Sequence, residues 1–321
     1  MSKIDRYTLK LRQSMCLDDK IRFTKRRIEE WIDYFGENKC YISFSGGKDS
    51  TVLLDLVRQV NPNIPAVFVD TGLEYPEIKQ FVKTFDNVTI LRPKKMFNEV
   101  VKDNGFPIIS KEVSECIEQA RIALERNNGQ YQYRLDALDG NKKNKDGTKS
   151  AFNYTKWKFL LNAPFKISNK CCNIMKKTPV HTYYKQTGRA PIIATMTEES
   201  RLRESQYLRQ GCNGFENKIP TSTPMAFWTE QDVLEYLYTR KLKYASVYGE
   251  IRIRERERER EREYYLTGCK RTGCMFCGFG CHLEKEPNRF QMLKQTHPKQ
   301  YEYIINTLGM GEVLDYIGVK Y

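Results

Sequence analysis

With 321 residues, the chain can bury one large core or two modest ones. Its formal net charge of +14 favours polyanionic partners, nucleotides first and nucleic acid after them. No apolar run is long enough to cross a bilayer, and the first fifteen residues (with Lys3, Asp5, Arg6, Lys10 and Arg12) hold no apolar signal stretch, so a soluble, cytoplasmic protein that meets no membrane is expected. Ten cysteines in that compartment point to metal or redox chemistry rather than structural disulfides.

Residues 17–35 predict an amphipathic helix. Ile21, Phe23, Ile28, Trp31, Ile32 and Phe35 are its apolar positions, and Lys25-Arg26-Arg27 reads as a solvated face. Residues 41–44 are a short apolar, β-prone run, Ser45-Gly46-Gly47 is a turn, and residues 49–57 return to helical spacing with Val52, Leu53, Leu56 and Val57 on one side. Strand, glycine turn and helix in that order aim free helix-start N–H groups at an anion, with the helix dipole behind them and no Cβ in the way. Ser45 and Ser50 add hydroxyls, and Lys48 adds a charge. The spacing fits neither the Walker loop nor the dinucleotide fingerprint.

A second strand over 64–69 runs into Asp70-Thr71-Gly72, followed by a helix over 74–85 and a third strand over 88–91. This alternation predicts an α/β fold with a doubly wound, mainly parallel, Rossmann-like sheet. Ligands of such sheets lie beyond the carboxyl ends of the strands, where Asp70 is a carboxylate suited to Mg²⁺ or a ribose hydroxyl. Helices are expected over 94–104 and 111–127, then a polar, glycine-containing mobile loop over 130–150 that reads as a surface insertion. A strand over 190–195 leads to a helix carrying Arg201, Arg203 and Arg209, a set suited to phosphate or sulfate. Thr229 caps a further helix, with Glu230 and Asp232 in its first turn.

Residues 252–263 alternate Arg and Glu, with Ile253 the one exception. In a helix this sets like charges at i and i+4; in a strand it sorts Arg to one face and Glu to the other. An exposed hairpin arm or extended linker without a catalytic role is expected. A pure AG dinucleotide repeat would encode the run; mixed codons in the gene would exclude that origin.

Cys171-Cys172 stand beside Lys176 and Lys177, and Cys269, Cys274, Cys277 and Cys281 fall close together near the C-terminal end. Two metal readings compete. One is a local tetrahedral zinc site. The other is an iron–sulfur cluster on Cys274 and Cys277 with the distant Cys171 and Cys172. Cys269 or Cys281 can substitute in either, and His282 is expected outside the ligand set. The segments are then an N-terminal helical piece (1–38), a nucleotide-binding α/β domain (39–249), the Arg–Glu arm (250–266), and a cysteine-rich metal module with short C-terminal helices (267–321).

Ser45 to Ser50 resembles, residue for residue, the SGGxDS loop of the PP-loop ATP pyrophosphatase superfamily. Five further motifs follow in order: Val69 to Gly72, Cys171-Cys172 with Lys177 and Pro179, Glu199-Ser200 with Arg203, Phe227 to Val233, and Arg271 to Cys277. Together they resemble the phosphoadenosine phosphosulfate (PAPS) reductase family. The resemblance implies nucleotide binding by Ser45, Gly46, Gly47, Lys48, Asp49, Ser50, Asp70, Thr71 and Gly72, and catalytic roles for Lys48, Asp49, Asp70 and Arg203. It implies a [4Fe–4S] cluster on Cys171, Cys172, Cys274 and Cys277, like that of the adenylyl-sulfate reductases, with Zn²⁺ as the alternative.

The intact loop is more similar to the ATP-using members, the ATP sulfurylase small subunits and the DNA phosphorothioation sulfur-transfer protein. The reductases' Glu-Cys-Gly-x-His tail is missing, and Met196-Thr197 replace their Gly-x-Arg-Arg. The implied activity is cleavage of ATP·Mg²⁺ between its α and β phosphates to activate an acceptor for sulfur transfer. tRNA or DNA would suit the basic surface as acceptor, and a sulfur or electron donor protein is the implied partner. The enzymatic alternative is reduction of a sulfonucleotide with release of sulfite, with Cys281 or Cys212 standing in as nucleophile. The alternative of another class is a nucleotide- or nucleic-acid-binding module with structural zinc.

Overall fold

The computed structural model describes residues 4–256 and 261–321. In chain order, α1 (Arg6–Gln13) and α2 (Leu17–Phe35) lead to β1 (Cys40–Ser43), α3 (Lys48–Val60), β2 (Ala66–Val69), α4 (Pro76–Val82) and β3 (Val88–Leu91). Next come α5 (Phe97–Asn104), β4 (Ile108–Ile109), α6 (Lys111–Arg126), α7 (Gln132–Asp139), α8 (Thr178–Thr187), β5 (Ala190–Ile193) and α9 (Arg201–Gln210). Then follow β6 (Asn213–Gly214), β7 (Thr221–Ser222), α10 (Glu230–Thr239), β8 (Ile251–Arg256), β9 (Glu261–Leu266), β10 (Gly278–Phe279), α11 (Arg289–Thr296), α12 (Pro298–Glu302) and α13 (Met310–Tyr316). Among the described residues, no helix is long and apolar enough to cross a membrane.

Two compact units divide the chain. One comprises Met1–Asp70, Glu74–Arg92 and Pro179–Thr272; the other comprises Thr71–Leu73, Pro93–Thr178 and Gly273–Tyr321. Residues 39–249 and 267–321 thus each contribute to both.

The first unit is built on a six-stranded sheet in the order β3-β2-β1-β5-β7-β6. Every pairing is parallel except β6 with β7. The chain moves outward from β1 to β2 and β3, then returns to β5 on the other side of β1. This reversal of strand order makes the carboxyl end of β1 a topological switch point, the place where open α/β sheets take their ligands. Cys40, Tyr41 and Ile42 are buried in β1, and Val52, Leu53, Leu56 and Val57 of α3 are buried as the helical spacing predicts. The basic run of α2 is not all solvent: the Arg27 guanidinium lies 4.9 Å from the Phe23 ring and pairs with Glu30 at 2.7 Å. Lys20, buried on α2, reaches both oxygens of Asp232 on α10 at 2.7 and 2.6 Å. Asp232 also closes a capping box, accepting from the N–H of Thr229 at 2.6 Å while the Thr229 hydroxyl oxygen accepts from the Asp232 N–H at 3.3 Å.

The Arg–Glu run enters an antiparallel hairpin in which Arg254 faces Glu263, Glu255 faces Arg262 and Arg256 faces Glu261. Its middle, residues 257–260, lies outside the described residues. The root is anchored: Ile251 and Tyr264 are buried, and the Gln231 side chain bonds both the N–H (2.8 Å) and the carbonyl (3.0 Å) of Tyr264.

In the second unit, the Ser110 side chain caps α6 by accepting from Val113 N–H at 3.1 Å. Arg121 of α6 donates to the carbonyls of Leu160, Leu161, Ala163 and Phe165 at 2.7–3.1 Å, fastening that irregular stretch to the helix. The expected mobile loop over 130–150 is corrected here, because its first half is helix α7. Ala137 and Leu138 are fully buried, and the left-handed residues Tyr131 and Gly140 close the helix at either end. The rest is a hydrogen-bonded turn, with Asn144 N–H to Thr148 O at 2.8 Å and Ser150 N–H to Lys142 O at 2.9 Å. Parallel β4 and β10 pair through Ile108 with Gly278 and Ile109 with Phe279. The tail forms the expected short helices α11, α12 and α13.

Candidate functional site

The glycine turn after β1 leaves Gly46 at φ +72°, a left-handed conformation that L side chains rarely adopt, with Val82 and Ile78 packed where a Cβ would stand. Helix α3 starts at Lys48, and its ladder begins with Thr51 N–H to Gly47 O at 3.0 Å, so the N–H groups of Lys48, Asp49 and Ser50 have no intrahelical acceptor. A web of serines holds the turn: Ser45 N–H donates to Ser50 Oγ (3.2 Å), the two hydroxyls are 3.0 Å apart, and Gly47 N–H donates to Ser45 Oγ (3.3 Å). The buried Lys48 ammonium lies 3.2 Å from Asp49 and 3.3 Å from Glu230. Burial alone would push its pKa down; the two carboxylates outweigh burial and hold it above its ordinary value.

One hydroxyl that motif reasoning did not assign to the site bonds this loop, and a second supports it from behind. The buried Tyr248 hydroxyl accepts from Lys48 N–H at 3.1 Å and lies 2.6 Å from the Thr272 hydroxyl. Thr272 belongs to the Arg-Thr-Gly-Cys stretch already noted; Tyr248 carried no local signal, and neither did the ion pair made by Glu230.

Asp70, at the carboxyl end of β2, is engaged by Lys79 at 2.7 Å and Arg92 at 3.7 Å. Arg203, in the first turn of α9, pairs with Glu199. Burial and then the neighbouring charge of Arg271 push its pKa down, partly offset by Asp49. Two guanidiniums within each other's field leave positive charge to be neutralised. Of the other two arginines on α9, Arg201 is exposed and Arg209 folds back on the carbonyl of Ser205.

In the second unit, Cys171, Cys172, Cys274 and Cys277 all line one cavity, with Leu73, Phe97, Pro107, Met175, Lys176 and Phe276 as the other walls. The cavity has about 20 Å³ of free space. Cys171 and Cys172 stand with sulfurs 4.0 Å apart at the start of a widened helical turn over Asn173–Lys177. Cys277 N–H closes a turn on Cys274 O at 3.1 Å, and Met275 N–H bonds Leu73 O at 3.0 Å. Leu73 follows Thr71, whose buried hydroxyl oxygen accepts from Leu73 N–H at 3.2 Å, and Gly72 at φ +80°. Among the described residues, no three His, Cys, Asp or Glu side chains are gathered closely enough to hold a metal ion as they stand.

The thiol chemistry is asymmetric. The hydrogen bond from Cys171 and the charges of Lys111, Lys176 and Lys177 pull Cys172 down to about 6, while the same hydrogen bond and burial push Cys171 up. Cys281 and Cys269 are outside the cavity lining. The buried Cys281 thiol donates to Gly278 O at 3.1 Å, and Cys269 belongs to the first unit. His282 packs edge-on against Trp157, with ring centroids 5.1 Å apart.

The adenosine 5′-phosphosulfate reductase of Geobacillus kaustophilus is 26% identical over 212 residues, which is 65% of this chain and 67% of the relative. An uncharacterized protein of Methanocaldococcus jannaschii is 30% identical over 156 residues, 43% of this chain and 37% of that longer one. Among solved structures, the phosphoadenylyl-sulfate reductase of Candida auris superposes with a TM-score of 0.39 at 14% identity, covering 77% of this chain and 91% of that one. The model of the phosphoadenosine phosphosulfate reductase domain matches residues 39–112 and 117–278. That span exceeds half the chain and contains each of the motifs above, so the chain belongs to the phosphoadenosine phosphosulfate reductase domain family.

Proposed function

We propose that this chain is a cytoplasmic enzyme that binds ATP at the Ser45–Ser50 loop and cleaves it between the α and β phosphates, activating an acceptor for sulfur transfer. The observation that carries the reading is the loop: the helix-start amides of Asp49 and Ser50 without an intrahelical acceptor, paired hydroxyls and a buried lysine at the carboxyl end of β1. The β and γ phosphates would lie on Ser45, Gly46, Gly47 and Ser50, with the Lys48 ammonium neutralising charge. An acceptor oxygen attacks the α phosphorus; the bond to the bridging oxygen breaks, and pyrophosphate leaves with the electron pair. Arg203, beside Arg271, would stabilise the charge that develops there. Asp49 and Asp70 are carboxylates of the kind Mg²⁺ accepts, and Thr71 and Gly72 would complete the nucleotide site.

Cys171, Cys172, Cys274 and Cys277 would hold a [4Fe–4S] cluster, and their common cavity supports that set over a local zinc site that needs Cys269 and Cys281. Such a cluster supplies a centre that holds sulfur or relays electrons. The lysines beside Cys172 favour the anionic sulfur this ligation requires. Zn²⁺ on the same thiolates is the alternative. A sulfur or electron donor protein and a tRNA or DNA acceptor complete the proposed reaction.

The second reading, reduction of adenylyl sulfate, is favoured by the name of the Geobacillus relative. Its two stand-in nucleophiles fit poorly: burial pushes Cys281 up to about 11 and Cys212 up to about 12. The test is product analysis. With ATP and Mg²⁺, pyrophosphate release that falls roughly 100-fold in Lys48→Ala supports the first reading. Sulfite from adenylyl sulfate without pyrophosphate from ATP would establish the second. Neither product, with Lys48→Ala inert in every assay, would leave a binding module with structural zinc.

A further inference from the structure

We propose that the face of the second unit running from α7 to Lys158 is a docking surface for single-stranded nucleic acid, with bases stacking on Phe152 and Tyr133 and phosphates meeting the surrounding lysines. The surface does not depend on the ATP chemistry above.

From Lys142 to Lys158 the chain carries six lysines and one carboxylate, Asp146. That carboxylate is engaged locally, accepting from the Thr148 N–H at 3.0 Å and its hydroxyl at 2.6 Å. Lys158 pairs with Asp139 at 2.6 Å, whereas Lys142, Lys143, Lys145, Lys149 and Lys156 form no ion pair among the described residues. Lys143 and Lys149 even stand opposite each other across an antiparallel bridge, an arrangement that costs stability when the charges are alike. Positive charge is therefore gathered on a hydrogen-bonded turn that carries almost nothing to neutralise it.

Two aromatic rings stand in the midst of that charge. Phe152 is 50% exposed and Tyr133 46%. The Lys142 ammonium lies 5.6 Å from the Phe152 centroid and 5.8 Å from that of Tyr133, and the Arg134 guanidinium lies 4.9 Å from Tyr133. Cations at the rings recover some free energy, but both residues remain about half exposed. Rings that take a nucleobase beside cations that take its phosphate form the stacking platform of single-strand binders. A duplex keeps its base faces inside its own stack, and an acidic protein would use the lysines without needing the rings. The exposed rings decide for the single strand.

The experiment is fluorescence anisotropy, without ATP, using a labelled single strand about 20 nucleotides long, so that it exceeds one binding site. The same strand as a duplex and heparin serve as comparisons. The single strand should bind more tightly than the duplex. Phe152→Ala and Tyr133→Ala should each weaken it about 5- to 100-fold while heparin binding is unchanged. Lys143→Glu with Lys149→Glu should weaken both ligands, and affinity should fall steeply with salt. The substituted side chains are exposed, and unchanged circular dichroism would confirm that the variants fold. Equal binding of single strand and duplex, indifferent to Phe152→Ala, would overturn the proposal. Binding of heparin or polyglutamate without oligonucleotide would overturn it in favour of an acidic protein partner. Because the assay holds no ATP and Phe152 lies outside the proposed nucleotide site, the two readings fail separately.

Discussion

Replacing Gly46 by alanine tests the packing beneath the glycine turn. The left-handed backbone costs a non-glycine residue about 1–2 kcal/mol. The new Cβ would also stand 2.7 Å from Val82 Cγ2 and 2.8 Å from Ile78 Cγ2, both on buried side chains of α4. Forcing a methyl into a packed core costs about 1–3 kcal/mol more, so Gly46→Ala should destabilise the fold by about 2–5 kcal/mol. Gly72 supplies the control: its φ is +80°, with nothing within 4 Å of an added Cβ, so Gly72→Ala should cost about 1–2 kcal/mol from the backbone alone. Urea unfolding followed by circular dichroism gives both values. Val82→Ala in the Gly46→Ala background removes one clashing methyl, and the double variant should exceed additivity by about 1 kcal/mol. If Gly46→Ala costs no more than Gly72→Ala and the double variant is additive, the steric argument is wrong.

Three further outcomes follow from the same structure. Lys20→Met strands the buried Asp232 carboxylate with only its Thr229 bonds and should cost about 3–5 kcal/mol, read from the same denaturation curves. Burial and the neighbouring Asp232 charge hold the Glu235 carboxyl above its ordinary value, so the fold favours its protonated form. That contribution is present below the unfolded-state value and is lost as pH rises through the folded one; Glu235→Gln should therefore gain on the wild type as pH rises above the ordinary glutamate range, measured as the shift in urea midpoint. Anaerobic purification with iron and sulfide analysis should find both elements, lost in Cys172→Ser and Cys277→Ser alike. Zinc alone, with Cys172 dispensable, would refute the four-cysteine set.

What the sequence made legible was local. Helix α2 runs over the predicted residues because Ile21, Ile28 and Trp31 repeat at the helical period and are buried. The strand–turn–helix around Ser45 followed from the same kind of pattern. Helix α7 escapes the pattern although Gln132, Arg134, Leu135, Ala137 and Leu138 are good helix formers, because it spans only eight residues between the turn signals Gly129 and Gly140 and is fixed by the burial of Ala137 and Leu138, a tertiary property. The two-residue strands β4, β6, β7 and β10 exist only through their partners, so no periodicity announces them. At the glycine turn after β1, Tyr248 reaches Lys48 from 200 positions away, a meeting that the topology makes and the local pattern does not record.

The hairpin ladder has an arithmetic of its own. Among the described residues, its charged rungs join an even-numbered arginine to an odd-numbered glutamate. One Arg–Glu unit gained between the two strands moves everything beyond it by two positions, so parity is kept and opposite charges can again face each other. The root rungs, Ile251 with Leu266 and Ile253 with Tyr264, are untouched, as is the hold of Gln231 on Tyr264. A single-residue insertion breaks parity, opposing arginine to arginine and turning one strand over. A change of length in whole repeats therefore keeps opposite charges facing each other along the described ladder and leaves its root on Gln231 unaltered.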